Sequence, residues 1–223
     1  MEINGLDSDN FWDYENAFYW FSPKSRIAKH IAHWEIYKKT IDIPGEIIEV
    51  GVFKGLSLLR WATFREILEN SESRRIIGFD SFGRFPIYDE ISKADNLFVS
   101  DFNNEAGDGL DLNELEMIFK EKKFENYELI KGDILKTIPE FLNSNSHLKI
   151  SLLHLDVDIY KPTITALNYF WERLSTNGIL IIDDYNSVEG ATSAVDDFLS
   201  EKGIRDNINK TKFYSSPSYI IKS

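Results

Sequence analysis

From Gly45 onward the chain alternates two kinds of apolar spacing. Compact apolar runs, EIIEV (46–50), RRIIGFD (74–80), YELIKGD (127–133), KISLLHLDVD (149–158) and GILIIDD (178–184), predict strands. LSLLRWATFREILE (56–69), DLNELEMIFKEK (111–122), ILKTIPEFLN (134–143), TITALNYFWERLS (163–175) and GATSAVDDFLSEKG (190–203) predict helices, their apolar residues recurring every three or four positions. In 163–175 the stripe is Ile164, Leu167, Phe170, Trp171 and Leu174, and Asn177-Gly178 ends it. A nearly continuous apolar strand such as 149–158 suits a sheet covered on both faces. Strands and helices alternating through short loops predict a doubly wound, mostly parallel α/β sheet. KFYSSPSYIIKS (212–223) closes it as a hairpin-like piece.

Two regions depart from this alternation. Residues 1–44 open with the aromatic stretch FWDYENAFYWF and continue as a helix. Ser22-Pro23 supplies its start signal, and Ile27, Ile31, Trp34 and Tyr37 recur at helical spacing. This is expected to be a helical cap on the core, open to use as a lid or as a contact in a homo-oligomer. Residues 83–112 read as a long polar loop without a period, of the kind that forms lids. With no repeat and no linker, residues 1–223 are expected to form one domain, a cap over 1–44 and a core over 45–223.

Charge and composition narrow the partners. A net charge of −12 disfavours nucleic acid and anionic membrane, which both need a basic face, but leaves room for a phosphorylated small molecule. The absence of cysteine removes disulfides, thiolate nucleophiles and thiolate-bound zinc. The polar, acidic N-terminus does not read as a secretory signal. No apolar run approaches the ~20 residues that span a bilayer. A cytoplasmic location is expected.

The candidate chemistry sits where predicted strands end. In GEIIEVGVFKGLS, Glu49 closes the first strand, and Gly51 and Gly55 bracket the turn into a helix whose N-terminus presents free amides. Phe53 stands where a dinucleotide fingerprint wants its middle glycine, so a pyrophosphate is disfavoured, and the acidic residue before the turn suits a cationic group such as an ammonium. Asp80 ends the second strand, where acidic residues hydrogen-bond ribose hydroxyls, and Asp133 ends the third, toward the adenine end of the same crevice. Any one of these aspartates could be a turn residue or a helix cap; acids ending three successive strands point to a shared ligand.

HLDVDIYKP (154–162) and IIDDYN (181–186) bring four more carboxylates to this edge. Asp156 and Asp158, two apart, share a face while the chain is extended, and a βαβ crossover brings Asp183 and Asp184 beside them. Convergent carboxylates make a hard-oxygen site suited to Mg²⁺ or a similar divalent ion such as Mn²⁺. The bland alternative makes Asp158 a helix cap and Asp183-Asp184 a polar turn. The histidines offer no better case: His30 and His33 are not an i, i+4 pair, and His154 lies in or beside a strand. Tyr127 and Lys131 match Tyr-x-x-x-Lys but fall on a predicted strand, where the match is chance.

The turn E-V-G-V-x-x-G (49–55), FDSFGRFP (79–86), EAGDGLDLNELE (105–116), LDVDIYKPT (155–163), NGILIIDDYN (177–186) and GATSAVDDF (190–198) together resemble the macrocin O-methyltransferase family, in family order from about residue 45 to 200. The resemblance implies a class I methyltransferase with a Rossmann-like core, using S-adenosylmethionine and a divalent ion to methylate sugar hydroxyls. It implies Asp156, Asp183 and Asp184 as metal ligands and Asp158 as general base. It also implies a cofactor site lined by Glu49, Gly51, Val52, Phe53, Gly55, Ser57, Asp80, Ser81, Gly132, Asp133 and Asp156. The expected acceptor is a sugar, nucleotide-linked or a glycoside, for example a deoxyhexose or heptose of a surface polysaccharide or glycosylated metabolite. A catechol-like acceptor and a silent adenosyl-binding module are the alternatives.

Overall fold

Seven strands form the main sheet: β3 (Glu46–Val50), β4 (Ile76–Asp80), β5 (Tyr127–Lys131), β6 (Ile150–Leu155), β7 (Leu174–Ile182), β8 (Ile208–Lys210) and β9 (Ser218–Ile221). A separate two-stranded ribbon, β1 (Glu2–Ile3) with β2 (Leu6–Asp7), lies at the N-terminus. The sheet order is β5-β4-β3-β6-β7-β9-β8. Its first five strands are parallel, whereas β9 runs antiparallel to β7 and pairs with β8. The computed structural model describes residues 1–88 and 91–223. This is the mostly parallel doubly wound sheet with an antiparallel C-terminal pair that the sequence predicts.

Helices cover both faces, which is why the central strands are apolar on both sides. α2 (Lys24–Tyr37), α3 (Leu56–Leu68) and α5 (Leu112–Glu121) lie on one face, where Trp61, Phe64 and Phe119 pack on Ile47, Ile76, Leu152, Ile179 and Ile181. α6 (Ile134–Ser144), α7 (Tyr160–Phe170) and α8 (Glu189–Lys202) lie on the other, where Phe141, Leu167, Phe170 and Phe198 pack on Ile48, Val50, Leu153, Leu155 and Leu180. Successive strand residues point to opposite faces, so each strand feeds both clusters.

Three sequence expectations change. The polar stretch 83–112 is not all loop: Lys93–Glu105 form a helix, α4, with Ser92 accepting from the Asp95 amide as its cap. Asp89 and Glu90, within that expected loop, lie outside the described residues. The face that α2 buries is Ala32, His33, Ile36 and Tyr37, while Ile31 of the expected stripe is exposed. Stacking of His33 on Trp61, ring centroids 4.6 Å apart, turns the helix that way. α7 begins at Tyr160, earlier than expected, with Pro162 in its first turn, where a missing N–H costs nothing.

The aromatic stretch is a helix of its own, α1 (Phe11–Phe21), which buries none of its residues. Trp12, Tyr19, Trp20 and Phe21 are all exposed. No helix among the described residues is long and apolar enough to cross a membrane.

Candidate functional site

Strand order reverses between β3 and β6, and in such sheets ligands bind beyond the strands' carboxyl ends at that point. Two cavities lie there. One runs from Gly51 and Phe53 past Asp80 and Ser81 to Gly132 and Ile134, with Phe85, Tyr88 and Phe102 over it. The other, an open cleft of about 1040 Å³, lies toward α2 and α3 between Arg26, Lys29, Lys54, Ser57 and Arg60. Phe53, Phe102, Asp156 and Asp158 line both, so the two cavities share a wall.

The first cavity is shaped by backbone tethering. Both oxygens of the Asp80 carboxylate hold amides: Oδ2 accepts from Val52 at 2.7 Å and Phe53 at 2.9 Å, and Oδ1 from Phe82 at 2.7 Å. These bonds support Phe53 in a left-handed conformation, φ 52°. Gly51 is required by protein rather than ligand, since a Cβ there would fall 1.8 Å from the carbonyl oxygen of Asp156. Asp133 caps α6, accepting from the Leu135 amide at 3.1 Å, and also receives the Tyr88 hydroxyl at 3.3 Å.

The carboxylates of β6 and β7 divide into two groups. Asp183 continues the parity of Ile179 and Ile181 and enters the α2/α3 face. There the Lys29 ammonium meets its Oδ2, and His154 Nε2 lies 3.5 Å from its Oδ1. His154 Nδ1 lies 3.3 Å from Glu49 Oε2, and Glu49 Oε1 accepts from Ser57 Oγ at 2.8 Å. Ser57, Glu49, His154, Asp183 and Lys29 thus form one buried line. Burial works against a charge on His154, but Asp183 and Glu49 override it and push its pKa up to about 10, which favours the imidazolium. Burial also opposes the charge on Lys29, and Asp156 and Asp183 overcome it. Asp183 is lowered although burial alone would raise it, because His154 and Lys29 hold it ionised. His33, which meets His154 edge-on, is lowered well below the usual imidazole range by burial and by His154, and neither of its nitrogens has a hydrogen-bond partner among the described residues.

Asp184 has the opposite parity and joins Asp156 and Asp158, each offering a carboxylate oxygen within 4.8 Å of the others. Asp158 is not a helix cap, since the N-cap position of α7 is Ile159 and carries no side-chain bond. Its φ is +61°, and the Ile159 amide bonds back to the Val157 carbonyl, a γ-turn of the rare, strained kind. The first turn of α8 fixes that strain, because the Ala191 amide donates to the Asp158 carbonyl at 3.0 Å. α4 is fixed at the same place. Asp95 Oδ2 accepts from the Tyr160 amide at 3.3 Å, and a Cβ on Gly190 would fall 2.1 Å from Asp95 Oδ1. Burial first, and then neighbouring carboxylates, push Asp158 and Asp184 up to about 8 and Asp156 well above its usual range. Asp184 Oδ2 is buried without a partner among the described residues. Such a cluster is short of positive charge.

Set beside known proteins, residues 26–215 match the family described as Macrocin-O-methyltransferase (TylF). The chain belongs to this family. An 8-demethyl-8-(2,3-dimethoxy-alpha-L-rhamnosyl)-tetracenomycin-C 4'-O-methyltransferase of Streptomyces olivaceus is 28% identical over 173 residues, 75% of this chain and 63% of its own. A mycinamicin III 3''-O-methyltransferase of Micromonospora griseorubida is 27% identical over 173 residues, 74% of this chain and 65% of its own. The chain therefore spans just under two thirds of the length of these relatives. The O-methyltransferase NovP shares the fold, with a TM-score of 0.75 at 18% identity over 88% of this chain and 80% of its own.

Against the residues that the macrocin O-methyltransferase resemblance implied, Gly51, Phe53, Asp80, Ser81, Gly132 and Asp156 line the first cavity. Val52 and Ser57 face the second, whereas Glu49, Gly55 and Asp133 line neither. The cation that faces Glu49 is His154. Sequence reasoning passed over Lys29 and Arg60 and left His154 as a strand residue without a role. Only Lys24, Arg26 and Lys29, basic residues crowded into one stretch of an acidic chain, gave a signal.

Proposed function

We propose that this protein transfers the methyl group of S-adenosylmethionine to a sugar hydroxyl. The observation that carries this is the shared wall: Asp156 and Asp158 face both the crevice at the switch point and the cleft beside it. A donor in one and an acceptor in the other can meet in line across these residues, which is the positioning a displacement needs. In the first cavity, Asp80 and the turn it holds suit the ribose end of the cofactor, and Gly132 and Ile134 the adenine end.

The transfer breaks the sulfonium–methyl bond, leaving a thioether, and forms an oxygen–methyl bond. The hydroxyl proton goes to Asp158, held at the wall by its strained turn, in its ionised form, which the positive charge of a divalent ion bound beside it would favour. The donor set fits a divalent ion, being all hard oxygen, convergent, short of positive charge and with Asp184 Oδ2 unpartnered. Asp156 and Asp184 would hold it, and Mg²⁺ commonly takes only one or two carboxylates beside water and substrate. A bound divalent ion supplies positive charge that makes a nearby hydroxyl more acidic. Asp183, committed to Lys29 and His154, serves the neighbouring buried line instead.

Incubating the protein with methyl-labelled S-adenosylmethionine, Mg²⁺ and a panel of free, glycosidic and nucleotide-linked deoxyhexoses and heptoses tests this reading. Label should appear on a sugar oxygen. Transfer to a catechol alone, or cofactor binding without transfer to any acceptor, would overturn it.

A further inference from the structure

The acceptor cleft is acidic at its floor and basic at its mouth. Asp156, Asp158 and Asp184 form the floor, while Arg26 from the first turn of α2 and Arg60 from α3 stand on the walls with Lys54 beside them. Arg65 and Arg74 each meet a carboxylate within 3 Å. The guanidiniums of Arg26 and Arg60 have no hydrogen-bond or ion-pair partner among the described residues, although the chain carries 37 acidic residues against 25 basic ones. Arg60 is moreover half-buried. A guanidinium taken partly out of water with no carboxylate in contact bears a desolvation cost that distant charges offset only in part. Burial lowers the pKa of Arg60, Glu49 and Asp183 pull it back from a distance, and Arg26 lowers it further. Two guanidiniums on packed helices that repel each other across a cleft describe a site whose anion is supplied from outside. Their planar forks suit phosphate oxygens.

We propose that Arg26 and Arg60, with Lys54 at the rim, form a phosphate subsite, so that the acceptor sugar enters as a nucleoside-diphosphate-linked sugar. The arrangement puts the sugar toward the carboxylate floor and the diphosphate toward solvent. The sugar part of this inference rests on the methyl-transfer reading; the anion subsite rests on the arginines alone. Lys29 does not belong to it, because Asp183 already takes its charge.

The test is calorimetric binding of uridine diphosphate, pyrophosphate and inorganic phosphate with divalent ions chelated, in the native protein and in Arg26→Gln and Arg60→Gln. Uridine diphosphate should bind, more weakly as salt rises, and each substitution should weaken it by about tenfold or more. S-adenosylmethionine affinity, measured on the same samples, should stay unchanged and show the variants to be folded. Pyrophosphate binding as tightly as uridine diphosphate supports the subsite and assigns its affinity to the phosphates. No affinity for any of the three, or equal affinity in the native protein and both variants, overturns the proposal. A protein that still methylates a neutral glycoside in that case keeps the methyl-transfer reading, whereas loss of S-adenosylmethionine binding would strike that reading instead.

Discussion

Leu153 and His154 are neighbours on β6, both fully buried, and they face opposite sides of one sheet. On Leu153's side a large apolar cluster fills the space between the strands and α6, α7 and α8, and the buried Thr163 of α7 carries no charge. On His154's side the same strands bury Glu49, His154 and Asp183 among Trp61, Leu152 and Ile181. The first face is held mainly by apolar packing, so holding the sheet together does not require charge. Buried ion pairs seldom outperform apolar packing of equal volume, and a broken one costs more than it ever contributed. The charged face therefore spends stability, and the line from Glu49 through His154 to Asp183 does so where the strands open toward the second cavity.

The largest effect should come from the wall between the two cavities. Asp158→Asn keeps the shape and removes the proton acceptor, so turnover should fall by about 10²–10⁴-fold with S-adenosylmethionine affinity unchanged. Asp184→Asn should instead lose divalent-ion affinity and regain part of its activity in excess Mg²⁺. Equal rescue of Asp158→Asn by metal would make Asp158 a ligand and send the search for the base elsewhere.

The neighbouring pair tests the two faces directly. His154→Leu leaves Glu49 and Asp183 without their bridge and should cost about 3–5 kcal/mol in denaturant unfolding. Leu153→Ala opens a cavity and should cost about 2–5 kcal/mol. The faces separate in turnover per folded molecule, which should be retained in Leu153→Ala and reduced in His154→Leu. Equal turnover in both would make the charged face mere scaffold.

Asp80→Ala releases three amides that shape the first cavity and should weaken S-adenosylmethionine binding by about 1.5–3 kcal/mol in calorimetry. Unchanged affinity in a folded variant would move the donor out of this crevice. The smallest effect concerns pH. Asp158 and Asp184, raised to about 8, hold protons that the unfolded chain loses near pH 4, so stability should fall as pH rises from about 4 through 8. Mg²⁺ should flatten that fall, a change of a few degrees in melting temperature near pH 8. A slope indifferent to Mg²⁺ would remove the ion from the cluster.

Much of the fold was legible because strands buried on both faces read as unbroken apolar runs, and each of them ends on an acid. α4 was not legible: Asp95 is its only buried residue, so no apolar period marks it. Asp183 and Asp184 read as one pair, yet parity sends them to opposite groups, a division visible only once β7 is known to end at Ile182. Lys29 and His154 were beyond reach for another reason. A lysine on a surface helix and a histidine in a strand gain meaning only from the carboxylate that tertiary packing places between them.

The first turn of α8 holds one further consequence. Gly190 leaves room for Asp95 of α4, and Ala191 holds the carbonyl of the strained turn at Asp158. Two consecutive residues thus anchor both the helix that carries Phe102 over the cavities and the carboxylate on the wall between them. A side chain added at Gly190 would be felt more than 30 positions away in sequence, at the base and at the roof together. The cover and the chemistry hang from the same peg, and neither can be retuned alone.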